Sequence, residues 1–360
     1  MRIVHVRSGH AIYGAETVLL GLARSSAARH DVLVAALADA RRDGEPALVA
    51  AARARGVEAL ALPVSGRVDP VAVWRIRRLA RGADVVHSHD YKSTILATAA
   101  LVGTGARHVA TLHGDTGESR AVRLYERALY AVLPVLHGVA VVSQALEERV
   151  RERAARARVV WIANGLDEAA LAARVRRGRD EVRAELGVGP GHKLVLAVGR
   201  LSPEKNHVAL IEAVAGRADV VCAIAGDGPL QAALRARGGA RLLGARADVA
   251  DLYRAADVVA QPSLTEGLPM VVLEALASGT PVVASAVGEI PRVLDVDGDI
   301  PCGLVVPPGD AAALGRALDE VLAWPADKLA AVRERAVRRV SEHYGVEAMA
   351  RRYEEELYGA

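Results

Sequence analysis

Two segments of this 360-residue chain combine cations, carboxylates and glycines in an order that can hold a phosphorylated ligand. The first is Val198-Gly-Arg-Leu-Ser-Pro-Glu-Lys-Asn206. An apolar run ends at Gly199, a loop follows, and helical spacing resumes near Asn206. In open α/β sheets that strand end is where ligands bind. Arg200 and Lys205 project from the loop, and two fixed cations beside a helix start suit a diphosphate. Two solvated loop charges are the plain alternative. The second segment is Gln261-Pro-Ser-Leu-Thr-Glu266-Gly-Leu-Pro-Met-Val-Val-Leu-Glu274. Again a strand enters a tight loop and then a helix. Pro269 suits the first helical turn, where its missing N–H costs nothing. The amides from Gly267 and Leu268 onward then point at whatever occupies the loop. Glu266 precedes the helix, where it could simply favour the dipole. Glu274 lies amid Val271, Val272, Leu273, Ala275 and Leu276, and a carboxylate buried there needs a partner. Between the two segments, Ala225-Gly-Asp-Gly-Pro229 is a strand-to-helix turn. Its Gly226 suits a close approach of backbone to a ligand or a neighbour.

These residues need strand ends to hold them, and the surrounding pattern supplies them. Short β-branched runs alternate with segments of period 3.6. The runs are Ile3–Arg7, Asp31–Leu37, Val57–Val64, Asp84–His89, His108–His113, Val139–Ser143 and Val159–Ala163. A second series comprises Leu194–Val198, Val220–Ala225, Arg241–Leu243, Val258–Gln261 and Val282–Ser285. Continuous apolar strands imply parallel sheets covered by helices on both faces, a doubly wound α/β arrangement. Residues 166–192 break the rhythm and end in Gly187-Val-Gly-Pro-Gly191, so they separate two α/β domains of similar size. The length agrees with about two domains. Beyond Asp310 the pattern is helical, and the last segment, Val346–Tyr358, is amphipathic.

Composition narrows the function classes. Hydrophobic residues are 52%, charged residues 25% and the net charge is +3, which excludes a disordered chain or a polybasic tail. Two cysteines exclude a disulfide framework and a four-cysteine zinc site. The start reads directly as a strand with no leader, and Ala128–Val142 is too broken and short to span a bilayer. A soluble, cytoplasmic protein is expected. Residues 1–170 carry 23 basic and 17 acidic side chains, against 23 and 26 in the remainder. Arg75, Arg77, Arg78 and Arg81 share one expected helix with Val73, Trp74, Ile76 and Leu79. That helix either packs on the sheet with its arginines in water or meets an anionic membrane surface. His87 and His89 suggest a metal, but no cysteine and no third ligand stand at sensible spacing, so none is expected. Asp295-Val-Asp297 sits in a Gly/Asp-rich loop and is turn chemistry.

The chain resembles the retaining glycosyltransferases of family 4. The residues that carry the resemblance are Gly199-Arg200, Glu204-Lys205-Asn206, Gly226-Asp-Gly-Pro229, Glu266-Gly-Leu-Pro269 with Glu274, and Asn164-Gly-Leu-Asp167. It covers essentially the whole chain. The resemblance implies the GT-B fold: two Rossmann-like doubly wound parallel-sheet domains facing a central cleft, with the C-terminal helix crossing back to the first. The corresponding boundaries are 1–170, a linker at 171–192, 193–342 and 343–360. Arg200 and Lys205 would bind the donor diphosphate, Glu274 the nucleotide ribose and Glu266 the donor sugar. Gly199, Gly226, Gly267, Leu268 and Pro269 would complete the donor side. The loop Ser8-Gly-His-Ala-Ile-Tyr-Gly14-Ala-Glu16 would face the donor phosphates through Gly14 and Glu16, with Tyr13 where the family has a second glycine. His113, at the end of its strand, would lie beside the reacting sugar.

The implied activity is metal-independent transfer of a hexosyl group, with retention, from a UDP- or GDP-sugar. The implied acceptor is a glycan or lipid-linked molecule of cell-surface polysaccharide synthesis, and nucleic acid has no part. Three other classes share parts of this pattern. A nicotinamide-dependent dehydrogenase requires Gly-x-Gly-x-x-Gly after the first strand, which is missing. A closer rival is a GT-B sugar-nucleotide epimerase, over which the Glu-Gly-Leu-Pro and Glu-Lys-Asn segments favour the transferase. A catalytically silent nucleotide-sugar-binding protein would not need His113, Arg200, Lys205 and Glu266 together.

Overall fold

The computed structural model describes residues 1–8, 12–41, 44–66, 69–113, 127–154 and 156–359. It divides into two compact units, Met1–Gly165 with Val346–Ala360, and Leu166–Gly345. The first is built on strands β1 (Arg2–Ser8), β2 (Asp31–Asp39), β3 (Glu58–Val64), β4 (Val85–Ser88), β5 (Arg107–Leu112), β6 (Gly138–Val141) and β7 (Arg158–Trp161). The second is built on β8 (Lys193–Val198), β9 (Val220–Ala225), β10 (Arg241–Gly244), β11 (Val258–Gln261), β12 (Val282–Ser285) and β13 (Gly303–Val306).

All the strand pairs are parallel. The orders are β3-β2-β1-β4-β5-β6-β7 and β10-β9-β8-β11-β12-β13. Each sheet reverses direction of growth once, between β1 and β4 and between β8 and β11. The crevice beyond the carboxyl ends of those two strands is the ligand position of such sheets. Strands β4, β6, β11 and β12 are buried at every residue. Helices therefore cover both faces, as the unbroken apolar runs require. Strand β13 escaped the sequence reading: its four residues follow a Gly/Asp-rich loop, and only pairing with β12 reveals it.

The stretch 171–192, expected to be a linker, belongs to the second unit. Helix Arg179–Glu185 lies within it. Arg179 and Arg183 grip Asp257 at 2.6 and 2.9 Å, and Arg177 pairs with Asp248 and Glu185. Composition could not show acidic partners some 70 residues away. The chain passes between units at Gly165/Leu166 and again at Gly345/Val346.

The C-terminal segment belongs to the first unit. Helix Val346–Tyr353 continues as a π-helical turn, Glu354–Tyr358. Leu357 packs where Gly138 of β6 has no side chain; a Cβ there would stand 2.7 Å from its Cδ2. Glu354, almost buried, takes hydrogen bonds from Arg29 Nη2 at 2.8 Å and Ser26 Oγ at 3.2 Å. Cys222 and Cys302 are free and buried, and burial pushes their thiols up to about 12 and about 11.

Candidate active site

In the second unit the carboxyl ends of β8 and β11 bring Lys205 to Glu266. Lys205 leaves β8 through a loop and a 3₁₀ turn, Pro203–Lys205, which Asn206 closes in the left-handed conformation (φ 49°) that asparagine tolerates. The Leu264 N–H donates to the Glu204 carbonyl at 2.8 Å, lashing this loop to the one after β11. Lys205 Nζ then lies 2.6 Å from Glu266 Oε1. Gln261 Nε2 and Ser263 Oγ donate to the same oxygen, each at 2.7 Å. Among the described residues Glu266 Oε2 has no such donor. Gln261 and Ser263 were quoted in the motif without a role; both sit where the strand ends, which was the available signal.

Arg200 is exposed at the tip of the same loop. Its carbonyl accepts from the Ser202 N–H at 3.0 Å and lies 3.3 Å from His207 Nε2. His207 is buried, and burial holds its pKa down to about 4, so the ring is neutral and donates there. The sequence reading missed His207.

Gly226 has a structural reason to be glycine. Its φ is +147°, and a Cβ would stand 1.9 Å from the Gly199 carbonyl oxygen. The expected donor-side glycines Gly199 and Gly226 thus pack backbone on backbone, setting the height of the β8 loop. Gly267 accepts from the Glu289 N–H at 2.9 Å. Pro269 is the N-cap of helix Met270–Ala277, one residue before the first-turn place expected of it, and Leu268 beside it is buried. Glu274, inside that helix, is bonded by the phenol of Tyr253 at 2.8 Å. The partner that its apolar neighbours demanded is therefore a tyrosine 21 residues earlier.

In the first unit the switch point between β1 and β4 is stitched by side chains. Arg7 donates from Nε to Glu16 Oε1 and from Nη1 to the His89 carbonyl, both at 2.6 Å. Glu16 Oε2 accepts the Tyr13 N–H at 2.9 Å, capping helix Gly14–Ala27. Both oxygens of Glu16, expected on the donor side, accept hydrogen bonds that fix the helix to the strand end. A capping glutamate and a ligand-binding one look identical in sequence. Gly14 opens the helix, and the exposed Tyr13 ring flanks it, so the second glycine of the resemblance has no counterpart in backbone geometry (Tyr13 φ −119°).

His113 stands one residue past β5. Its Nε2 is buried and has no partner among the described residues. Burial, and then the nearby Arg7 charge, lower its pKa to about 3, so the imidazole is neutral. Gly114 and Asp115, which follow it in the motif, lie outside the described residues, as do Gly9, His10 and Ala11 of the first loop.

The spacing argument about His87 and His89 is overturned in one respect. Pairing of β1 with β4 places His5 opposite His87, 82 residues away, and one nitrogen of each ring lies within 4.8 Å of the others. Several ring nitrogens of this group meet protein partners, while His5 Nε2 is buried with none among the described residues. His5 Nδ1 and His89 Nε2 are 3.0 Å apart, and His87 reaches the Tyr358 hydroxyl at 2.8 Å and Thr111 Oγ1 at 2.7 Å. Thr111 in turn meets the Tyr353 hydroxyl at 2.9 Å. The C-terminal tyrosines thus complete a polar core beneath the strand ends.

Helix Pro70–Ala80 buries Ala72, Ile76 and Ala80 and exposes Val71 and Trp74, at 52% and 56%. Two of its arginines turn to the fold. Arg75 donates to the Pro63 carbonyl at 2.7 Å, and Arg77 to those of Ala100 and Val102 at 3.0 and 2.6 Å. Arg78 lies over Trp74, 5.8 Å from the ring centre. No helix among the described residues is long and apolar enough to cross a membrane.

Two Rossmann-like parallel sheets in these strand orders, with cations and carboxylates at their strand ends, have the GT-B architecture. Anabaena Alr3699/HepE, solved in complex with UDP and glucose, superposes with a TM-score of 0.85 at 22% identity over 100% of both chains. Residues 12–170 match the profile "Glycosyltransferase Family 4" and residues 178–339 match "Glycosyl transferases group 1". A D-inositol 3-phosphate glycosyltransferase of Streptomyces avermitilis is 31% identical over 303 residues, 74% of this chain. This chain spans 63% of that relative's length, a little under two thirds. The phosphatidyl-myo-inositol mannosyltransferase of Mycobacterium leprae is 32% identical over 284 residues, 73% of this chain and 72% of that one. The chain belongs to glycosyltransferase family 4.

Proposed function

We propose that this protein is a retaining, metal-independent hexosyltransferase using a UDP- or GDP-sugar. Its acceptor is a glycan or lipid-linked molecule of cell-surface polysaccharide or glycoconjugate synthesis. The observation that carries this reading is the Lys205–Glu266 cluster at the β8/β11 switch point, with Arg200 beside it. A diphosphate entering there offers Lys205 a more highly charged partner than Glu266. Lys205 and Arg200 then neutralise the charge that grows on the phosphate as the glycosidic bond breaks. Glu266, still held by Gln261 and Ser263, keeps its orientation and accepts hydroxyls of the donor sugar. His113, neutral and unpaired at Nε2, hydrogen-bonds the sugar near the reacting carbon. The departing phosphate assists deprotonation of the acceptor, which attacks from the same face.

Support from relatives is of two kinds. HepE binds UDP and glucose, and the two relatives above act, by name, on inositol phosphate and phosphatidyl-inositol acceptors. A lipid-linked acceptor accords with Trp74 and Val71 exposed beside Arg78 and Arg81, a surface suited to an anionic bilayer. Incubation with UDP- and GDP-hexoses and lipid-extract acceptors tests the activity, and proton NMR of the first product reads the anomer. An inverted linkage, or activity lost in EDTA and restored by Mn²⁺, refutes the corresponding part. Co-sedimentation with anionic and neutral liposomes at low and high salt tests the membrane contact; equal, negligible binding to both retires it.

A further inference from the structure

We infer that Tyr253 is a positioning residue for nucleoside recognition, orienting Glu274 so that one carboxylate oxygen is presented to the ribose hydroxyls. The inference rests on the reading of Glu274 as the ribose-binding carboxylate, and it deepens that reading.

Tyr253 lies in helix Val249–Ala255 and is wholly buried. Its backbone is fixed independently of Glu274: Thr280 Oγ1 donates to the Tyr253 carbonyl at 2.7 Å. From that anchored position the phenol reaches Glu274 Oε2 at 2.8 Å. Burial first, and then the Glu274 charge, push the Tyr253 hydroxyl well above its ordinary range. The phenol is therefore always a donor to the carboxylate. Among the described residues Glu274 Oε1 has no corresponding donor.

The geometry matters because a terminal carboxylate torsion is broad and nearly two-fold. A glutamate without a fixed partner samples many orientations. Tying Oε2 to a rigid hydroxyl removes that freedom and defines the plane in which Oε1 accepts. Adjacent hydroxyls of a ribose are a ligand that rewards such a plane, since both must find lone pairs at once. Ionisation follows the same bond. Burial raises the pKa of Glu274, while the Tyr253 hydrogen bond and then the Arg174 charge lower it. Arg174 is itself held by the Ala247 carbonyl at 2.9 Å, so its charge has a fixed place. The phenol thus favours both the orientation and the charged form that a diol needs.

The test is isothermal calorimetry of the full chain with uridine and guanosine diphosphates and their 2′- and 3′-deoxy analogues. It uses the wild type, Tyr253→Phe, Glu274→Ala and the double variant. For the preferred base, the wild type favours the ribonucleotide over at least one deoxy analogue by about tenfold or more. Tyr253→Phe, which keeps the buried ring, weakens ribonucleotide binding by about tenfold and leaves that deoxy analogue within about twofold. Discrimination therefore collapses, and in turnover the loss falls on KM. The double variant discriminates no less than Glu274→Ala alone, because both changes remove one interaction. If Tyr253→Phe keeps the wild-type ratio while Glu274→Ala abolishes it, the positioning role is wrong and the role of Glu274 stands. If Glu274→Ala keeps the ratio, the ribose reading itself is wrong. A fall in affinity for ribo- and deoxynucleotides alike marks Tyr253 as merely structural and overturns the proposal.

Discussion

Acidification to pH 5.5 should strongly destabilise the first unit before its carboxylates are protonated. His5 and His108 are buried and His113 is half-buried with its Nε2 enclosed, and none has a charged partner that favours the imidazolium. Burial holds each near pKa 3, against an ordinary value of 6.5. The unfolded chain therefore binds more protons than the folded one between about pH 6.5 and 3. Stability is fully present above the unfolded value and is lost as pH falls through this window. At pH 5.5 each ring costs the fold between about 1 and 2 kcal/mol. Three rings together cost about 4 kcal/mol, a large share of the roughly 5–15 kcal/mol that holds a domain together. His87 and His89, lowered by burial and by neighbouring histidines, act in the same direction. The second unit has one strongly lowered histidine, His207, near 4. Scanning calorimetry at pH 7.5 and 5.5 should show the transition of the first unit falling by roughly 8–16 °C, and that of the second by much less. Imidazole NMR should find no ring of the first three titrating near 6.5. A transition that moves by under 2 °C, or titration of His5 near neutrality, would refute the claim that these rings are buried and neutral.

Other changes have equally definite outcomes. Tyr358→Phe leaves His87 Nδ1 without its 2.8 Å partner and should cost about 1–3 kcal/mol by urea unfolding. Deleting Val346–Ala360 should make the first unit insoluble, because it removes Leu357 from Gly138 of β6 and leaves buried Thr111 and His87 without Tyr353 and Tyr358; a soluble, cooperatively melting product contradicts this. Gly226→Ala forces a methyl onto the Gly199 carbonyl and should destabilise the second unit by roughly 3 kcal/mol or more, read from its thermal transition. Arg200→Ala with Lys205→Ala should lower turnover about 100-fold or more with the fold intact by circular dichroism; near-normal turnover removes both from the proposed mechanism.

Local pattern was enough for the parts of this molecule that depend on neighbours in sequence. The β-branched runs became parallel strands within a residue or two, because burial on both faces demands unbroken apolar stretches. Arg200, Lys205, Glu266 and Glu274 were visible because chemistry at a strand end needs charged residues where an apolar run stops. What pairs with what was invisible. Glu16, expected to face the donor, also holds Arg7 and caps a helix, which its sequence neighbours do not announce. The arginines of 171–192 read as a linker and in fact grip aspartates some 70 residues further along the chain. His5 has no sequence neighbour to suggest His87 and His89, and Tyr353 and Tyr358 lie more than 240 residues from Thr111 and His87.

By itself, the sequence determined the parallel α/β class, the two-domain plan and the residue types at the strand ends, since hydrophobic period and turn chemistry act over a few residues. Tertiary structure alone decided which polar groups meet. A buried hydrogen bond is set by strand order and register, and those bring together residues tens to hundreds of positions apart, with no trace in local spacing.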